Sequence, residues 1–280
     1  MWCLWRNIAP LFVACLFSAP ARPAHAQAAS AASTHAEIEL IAEQSVPAPG
    51  EPFWVGLLFT IDPGWHIYWR NPGDSGEPPK VQWQLPRGFR AGFFEWPTPI
   101  RLGSGSVVDY GYQGRVLLMA PITVPAGARA KTIADIAADV KYIVCSEICI
   151  PGKAHLTLLL PDSGNTAAQS GDSRELFRQT RERLARPSPA NWKTSVVSDK
   201  DHFIVTVHGM PPPQSVTFFP LRPGVIENSA PQVLESTGGG FRLTLKKSDQ
   251  YTSYPLFRGI LVLGSGRGIQ ISAMILPGQA

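Results

Sequence analysis

The chain has 280 residues, a formal charge of +4 and 44% apolar content. That is enough apolar mass for one large core or two ordinary ones, and too mild a charge to select nucleic acid or an anionic membrane as a partner. Its 27 prolines and 25 glycines are spread along the sequence, which suits many short strands joined by turns and argues against a helical bundle.

The N-terminus reads as a secretory leader. Arg6 supplies a positive start, Ile8 to Phe17 an apolar core, and Ala24-His25-Ala26 a small-x-small cleavage site. Residues 1–26 are therefore expected to be a signal peptide, with Gln27 as the mature N-terminus of a soluble periplasmic protein. The competing reading makes Phe12-Val13-Ala14-Cys15 a lipidation box with Cys15 acylated; the Phe at its first position and the short apolar run before it count against this. No later apolar run approaches the ~20 residues of a membrane helix. Residues 156–160 and 259–264 have strand length. Of the four cysteines, Cys3 and Cys15 would leave with the leader, so Cys145 and Cys149 remain. A pair this close in an exported protein is either an inert disulfide or a redox-active one.

Strand-like runs then follow one another: 36–43, 52–59, 66–69, 81–85, 115–121, 136–144 and 154–160. Turn signals separate them, the clearest being Pro47-Ala48-Pro49-Gly50, Asp62-Pro63-Gly64 and Asn71-Pro72-Gly73-Asp74. Short strands at this density without a helical pattern predict an immunoglobulin-like β-sandwich over residues 27–165. Residues 166–189 change character and predict a linker with one amphipathic helix, in which Leu176, Phe177, Thr180 and Leu184 share a face. Asp172 with Glu175 resembles a capping box, and Pro187 stops the helix. The helix is expected to be a strap packed on a neighbouring domain. Strand-like runs resume at 193–197, 203–207, 216–219, 241–246, 259–263 and 269–275, so residues 190–280 predict a second β-sandwich-like domain. The fold class is all-β. This second domain holds no cysteine and no acid, base or metal-ligand cluster, and no chemistry is assigned to it. Neither a phosphate-cradling glycine loop nor an internal repeat is evident.

The segment from Lys141 to Pro151 concentrates the chemistry. Fully extended, Cys145 and Cys149 would lie about 13 Å apart at ~3.3 Å per residue, whereas a disulfide needs a Cα separation near ~5.5 Å. If they bond, the chain turns between them. Cys145 would end one strand, Cys149 would start the next, and Ser146, Glu147 and Ile148 would form a tight connection. Closing so small a loop stabilises a fold by only about 2 kcal/mol. It makes a poor staple, and its exposed position suits the labile kind of disulfide that exchanges with partners. A purely structural disulfide in a binding module is the competing reading.

Four motifs in order now carry a family resemblance: Gly64-Trp65-His66-Ile67-Tyr68-Trp69-Arg70-Asn71-Pro72-Gly73-Asp74-Ser75-Gly76, Phe94-Glu95-Trp96-Pro97, Asp109-Tyr110-Gly111-Tyr112, and Cys145 to Pro151. Together they resemble the N-terminal periplasmic domain of the DsbD and ScsB thiol–disulfide interchange proteins, over most of residues 36–161. The second β domain resembles the following region of ScsB-type members. The resemblance implies an immunoglobulin-like redox domain that needs no organic cofactor. It would receive electrons from a membrane donor protein of DsbD/CcdA type and reduce periplasmic thioredoxin-like oxidoreductases. It implies that Cys149 exchanges with partners and Cys145 resolves the mixed disulfide. It also casts Asp109 to Tyr112, with Tyr110 between them, as a cap loop shielding the pair, with His66 and Tyr68 nearby. The membrane and thioredoxin-like domains of full-length members are absent from this sequence, so electrons would come from a separate protein.

The residues themselves refine these roles. Trp65, Ile67 and Trp69 alternate with His66, Tyr68 and Arg70, which predicts one core face and one exposed face. Glu147 or His66 could assist a thiolate, and Ile150-Pro151 would fix the backbone after Cys149. A second class of function is copper handling, in which both thiols join His155, His66 or Met119 around Cu(I).

Overall fold

The computed structural model describes residues 30–32, 35–43, 50–103, 105–126, 136–158, 171–264 and 266–278. The expected leader, with Cys3 and Cys15, and the polar start of the linker lie outside the described residues. The N-terminal unit is built from β1 (Ser30–Ala32), β2 (Ala36–Ala42), β3 (Pro52–Ile61), β4 (Ile67–Gly73), β5 (Lys80–Gln84), β6 (Arg90–Ala91), β7 (Ile100–Leu102), β8 (Asp109–Tyr112), β9 (Arg115–Thr123), β10 (Ile136–Cys145) and β11 (Cys149–Leu158). They form a sheet of order β1-β2-β3-β9-β6 and two three-stranded sheets, β11-β10-β5 and β4-β8-β7. One apolar core lies between them, with Ile38, Leu40, Phe59, Ile67, Trp69, Leu118, Val140 and Leu156 fully or almost fully buried. This is the expected immunoglobulin-like sandwich.

Strands β2 and β10 alternate buried and less buried residues because one face meets the core and the other does not. Strands β3 and β9 instead bury unbroken runs, Val55 to Phe59 and Val116 to Ala120. Both of their faces are covered: Leu57, Phe59 and Leu118 face the sandwich core, while Leu58, Leu117 and Met119 pack beneath Phe177 of α1 (Gly171–Arg183). The amphipathic helix is thus the strap its periodicity predicts. Phe177 and Thr180 are buried, Leu176 and Leu184 half-buried, and Arg181 donates two 2.6 Å hydrogen bonds to the Glu43 carboxylate.

Beyond the helix run β12 (Arg186–Pro187), β13 (Lys193–Ser198), β14 (His202–His208), β15 (Val216–Pro220), β16 (Val233–Thr237), β17 (Gly240–Lys246), β18 (Leu256–Leu263) and β19 (Gly268–Pro277). Their order is β15-β18-β19-β13-β14-β17-β16, with β12 on β19. In a flat sheet β14 and β18 would stand about 14 Å apart, three spacings of ~4.8 Å. The rings of Phe203 and Phe257 on those strands nevertheless lie 4.9 Å apart, so the sheet folds face to face around a second core. The parallel pairing of Val196 with Ile275 joins the two halves. Phe219 and Ile260 of this second unit are buried in the first core, which makes the two units contiguous.

Candidate functional site

Strands β10 and β11 form a hairpin whose register pairs Ile143 with Pro151 and Val144 with Ile150, and ends by placing Cys145 opposite Cys149. Ser146, Glu147 and Ile148 make the connection, closed by a 3.0 Å bond from the Ser146 amide to the Ile148 carbonyl. This is the geometry the spacing predicts. The two cysteines are joined as a disulfide with Cα atoms 4.2 Å apart. Their surroundings differ sharply, because Cys145 is 1% exposed while Cys149 is exposed. Cys145 is also anchored by its backbone: its amide and carbonyl exchange two 2.9 Å hydrogen bonds with those of His66, a bridge that links the two three-stranded sheets.

The sequence predicts an exposed face for His66, Tyr68 and Arg70, and only Arg70 is exposed. Tyr68 is fully buried and His66 nearly so. For Tyr68 the cause is the segment after β4, which folds back over its ring. At Gly76 the backbone crosses the Tyr68 ring so closely that an added Cβ would stand 2.0 Å from its Cζ, and φ is +66°; both conditions require glycine. Asn71-Pro72-Gly73, read from sequence as a turn, is instead the end of β4. A register shift between Tyr68 and Gly73 absorbs the proline.

The only Tyr68 atom that matters to the sulfur is its hydroxyl, 3.6 Å from Cys149 Sγ and 3.3 Å from Ser75 Oγ. Ser75 has one hydroxyl proton and donates it to Asp109 Oδ2 at 2.8 Å. Tyr68 is therefore the donor in the bond it shares with Ser75, and the same proton can turn to a charged sulfur. Ser75 also gives its amide to Asp109 Oδ1 at 2.9 Å. His66 Nε2 stands 3.7 Å from Asp109 Oδ2, an ion-pair distance that leaves this buried nitrogen without a hydrogen bond. Burial works to raise the Asp109 carboxyl, but His66 and the two Ser75 bonds outweigh it and hold the group below the usual carboxylate range. Burial pushes the Tyr68 phenol up, with Ser75 opposing and the Asp109 charge adding to the rise, so Tyr68 keeps its proton at neutral pH.

The remaining candidates separate. Asp109 to Tyr112, expected as a cap loop, is strand β8 between β4 and β7. Its alternation sends Asp109 to the cysteine side. Tyr112 instead donates a 2.7 Å bond to the Pro97 carbonyl within the core, and burial raises it well above the ordinary phenol value. Tyr110 likewise turns away, donating to Asn228 Oδ1 at 2.8 Å. Glu147 lies exposed in the connection and Pro151 exposed on β11, an edge strand of its sheet. Of the copper set only His66 adjoins the cysteines, through its backbone bonds to Cys145. His155 pairs with Asp139, six positions from the cysteines, or about 20 Å at ~3.3 Å per residue. Met119 is buried under the helix. Among the described residues no three His, Cys, Asp or Glu side chains are grouped to hold a metal ion. Sequence reasoning missed Ser75, which lies inside a quoted motif but reads there as turn punctuation, and Asn228, which no sequence signal marks.

Comparison with known proteins places these observations. Residues 37–161 match the family model described as thiol:disulfide interchange protein DsbD, N-terminal. The crystal structure of the N-terminal periplasmic domain of ScsB from Proteus mirabilis superposes with a TM-score of 0.66, covering 88% of this chain and 95% of that one. Sequence identity is 16%, so this likeness concerns the fold, including the arrangement of both β units. No curated protein sequence matches the chain.

Proposed function

We propose, for a chain whose residues 37–161 are a domain of the DsbD N-terminal family, that Cys145 and Cys149 carry electrons to thioredoxin-like oxidoreductases of the periplasm. The electrons would come from a membrane donor protein of DsbD/CcdA type. The observation that supports this is the unequal exposure of two bonded sulfurs, one sealed in the sandwich and one open to a partner. The leader-like N-terminus and the likeness to a periplasmic domain support the location. No helix among the described residues is long and apolar enough to cross a membrane.

In the reduced protein Cys149 attacks, as thiolate, one sulfur of the partner's disulfide. A bond forms between Cys149 and that sulfur while the partner's S–S bond breaks, and the released sulfur leaves as a thiolate that takes up a proton. Cys145 then loses its proton and attacks Cys149 Sγ. The intramolecular disulfide closes, and the second partner sulfur departs and is protonated. Two electrons and two protons have passed to the partner. With the disulfide closed Tyr68 donates to Ser75, which Asp109 fixes in place; in the reduced protein that single phenolic proton turns from Ser75 to the Cys149 thiolate. His66 Nε2, 3.7 Å from Asp109 Oδ2, and the two Ser75 bonds hold that carboxylate in the site.

The assignment is tested with Cys145→Ser and Cys149→Ser variants, at equal concentration against the same oxidised thioredoxin-like protein. Cys145→Ser keeps the open sulfur but cannot resolve a mixed disulfide, so it accumulates covalent complexes on a non-reducing gel. Cys149→Ser traps few. Equal trapping, or an excess with Cys149→Ser, overturns the order of the sulfurs.

A further inference from the structure

We infer that the second β unit is a working part of the redox site, with Asn228 as a positioning residue that sets the Tyr68 hydroxyl against Cys149. The inference rests on the exchange reading above and assigns a role to a region in which neither the sequence nor the family match to residues 37–161 places any chemistry.

Two linked contacts carry it. Asn228 sits in the connection between β15 and β16 and is 6% exposed, and its side-chain oxygen, its side-chain nitrogen and its carbonyl are engaged with the first unit. Its Oδ1 accepts the Tyr110 hydroxyl at 2.8 Å, its Nδ2 donates to Asp74 Oδ1 at 2.7 Å, and its carbonyl accepts Arg101 at 2.7 Å. Tyr110 and Asp74 each precede or follow a residue that organises the sulfur: Asp109 comes immediately before Tyr110, and Ser75 immediately after Asp74. Asp74 also accepts the Val108 amide at 2.8 Å, which clips the two segments together. One side chain therefore fixes both ends of the Ser75–Asp109 pair, and that pair holds Tyr68.

The second contact excludes independent movement of the units. Asn71 is fully buried and donates to the Pro220 and Arg222 carbonyls at 2.8 and 3.2 Å. Between them in the wall, the Phe219 ring lies edge-on to Tyr110 and Trp69, at 5.1 and 6.4 Å. Breaking these contacts would leave the buried Pro220 carbonyl and the Asn71 amide unpaired, so the geometry at the sulfur is shared by both units.

The chemistry of the Asn228–Asp74 contact allows a reciprocal swap. Asn228→Asp alone sets two carboxylates against each other and removes the donor to Asp74. Combined with Asp74→Asn it restores every bond, because Asn at 74 donates to Asp at 228 and still accepts the Val108 amide, while Asp at 228 still accepts Tyr110. The full chain is reduced and its reaction with a small aromatic disulfide followed by absorbance, with backbone hydrogen exchange measured over residues 71–76. Asn228→Asp is expected to slow the reaction by about twofold, no more than loss of the Tyr68 hydroxyl itself would, and to deprotect 71–76. The double swap is expected to return both to near the wild-type values. Asn228→Ala, which removes both side-chain bonds without opposing charges, serves if Asn228→Asp does not fold, with the same direction expected. Wild-type rates in the single variants, or no recovery in the swap, overturn the inference. Hydrogen exchange reads the contact without thiol chemistry, so a wild-type chain inert to disulfides would sink the exchange reading while the swap still decides the clamp.

Discussion

Tyr68→Phe removes one oxygen and leaves the ring that Gly76 covers, so its effect isolates the 3.6 Å contact to Cys149 Sγ. A hydrogen bond to a charged group contributes about 1.5–3 kcal/mol, and one this long belongs below that range, at about 1 kcal/mol. Since ~1.4 kcal/mol corresponds to one pKa unit, the Cys149 thiol should titrate about 0.7 units higher in the variant. Well below its pKa, the reactive thiolate fraction falls about fivefold. The more basic thiolate is about twofold more nucleophilic at a Brønsted slope of ~0.45. The net loss of rate at neutral pH is then about twofold to threefold, while the plateau rate at high pH rises. Alkylation of the reduced protein with iodoacetamide from pH 5 to 10 separates the two effects. A midpoint unchanged between Tyr68→Phe and wild type would refute the assignment of Tyr68 as donor to the sulfur.

Three further outcomes are expected. Equilibration with glutathione redox buffers should open and close the Cys145–Cys149 bond reversibly at a potential more oxidising than about −300 mV, the region below which structural disulfides lie; a bond that stays closed in excess glutathione in the folded protein defeats the exchange reading. Asp109 has a depressed folded-state carboxyl, so its stabilising contribution is present above the usual carboxylate value of ~3.9 and is lost as pH falls through the lower folded value. Asp109→Asn should therefore lower the melting temperature at pH 7 and converge on wild type in acid; a constant gap across that window would show that the charge is not what stabilises. Phe177→Ala deletes the fully buried ring by which the strap packs on β3 and β9 and should cost about 3–5 kcal/mol in denaturant unfolding, yet leave the alkylation rate of Cys149 unchanged in the folded protein.

The sandwich was legible because short strand-like runs are punctuated by Pro and Gly, and β10 and β11 could be placed opposite each other on the condition that the two cysteines bond. What the sequence hid has physical causes. Alternation marks which side chains of β4 share a face, but it cannot say what covers that face, so Tyr68 falls on the face predicted to be exposed although Gly76 covers its ring, and His66 although it packs against Tyr68 and Asp109. Strands as short as β6, β7 and β8 carry too few residues for a pattern to emerge, and Asp109 to Tyr112 is expected as a cap loop on the family resemblance alone where the chain forms β8. Asn228 was invisible for another reason: its role depends on where two units with separate cores meet, and a lone polar residue between turn residues encodes nothing about a partner more than 100 residues away in sequence.

The disulfide contributes little to holding this fold together, and the exchange proposed for it requires that. As a cross-link over so few residues it stabilises by only about 2 kcal/mol, and the strands it joins are already fixed by the ladder from Ile136–Leu158 to the cysteines and by the two backbone bonds between Cys145 and His66. Opening it releases no element from the sandwich. Both redox states can then share one backbone, and reduction changes chiefly the charge and reach of the Cys149 sulfur. A carrier needs that property, because free energy spent on refolding at each cycle would shift its potential away from that of its partners. The bonds from Tyr68 to Ser75 and from Ser75 to Asp109 do not include the S–S bond, so the donor stands ready before the thiolate forms. That readiness is preorganisation of the kind that lowers the cost of developing charge, and the wall that maintains it is drawn from both halves of the chain.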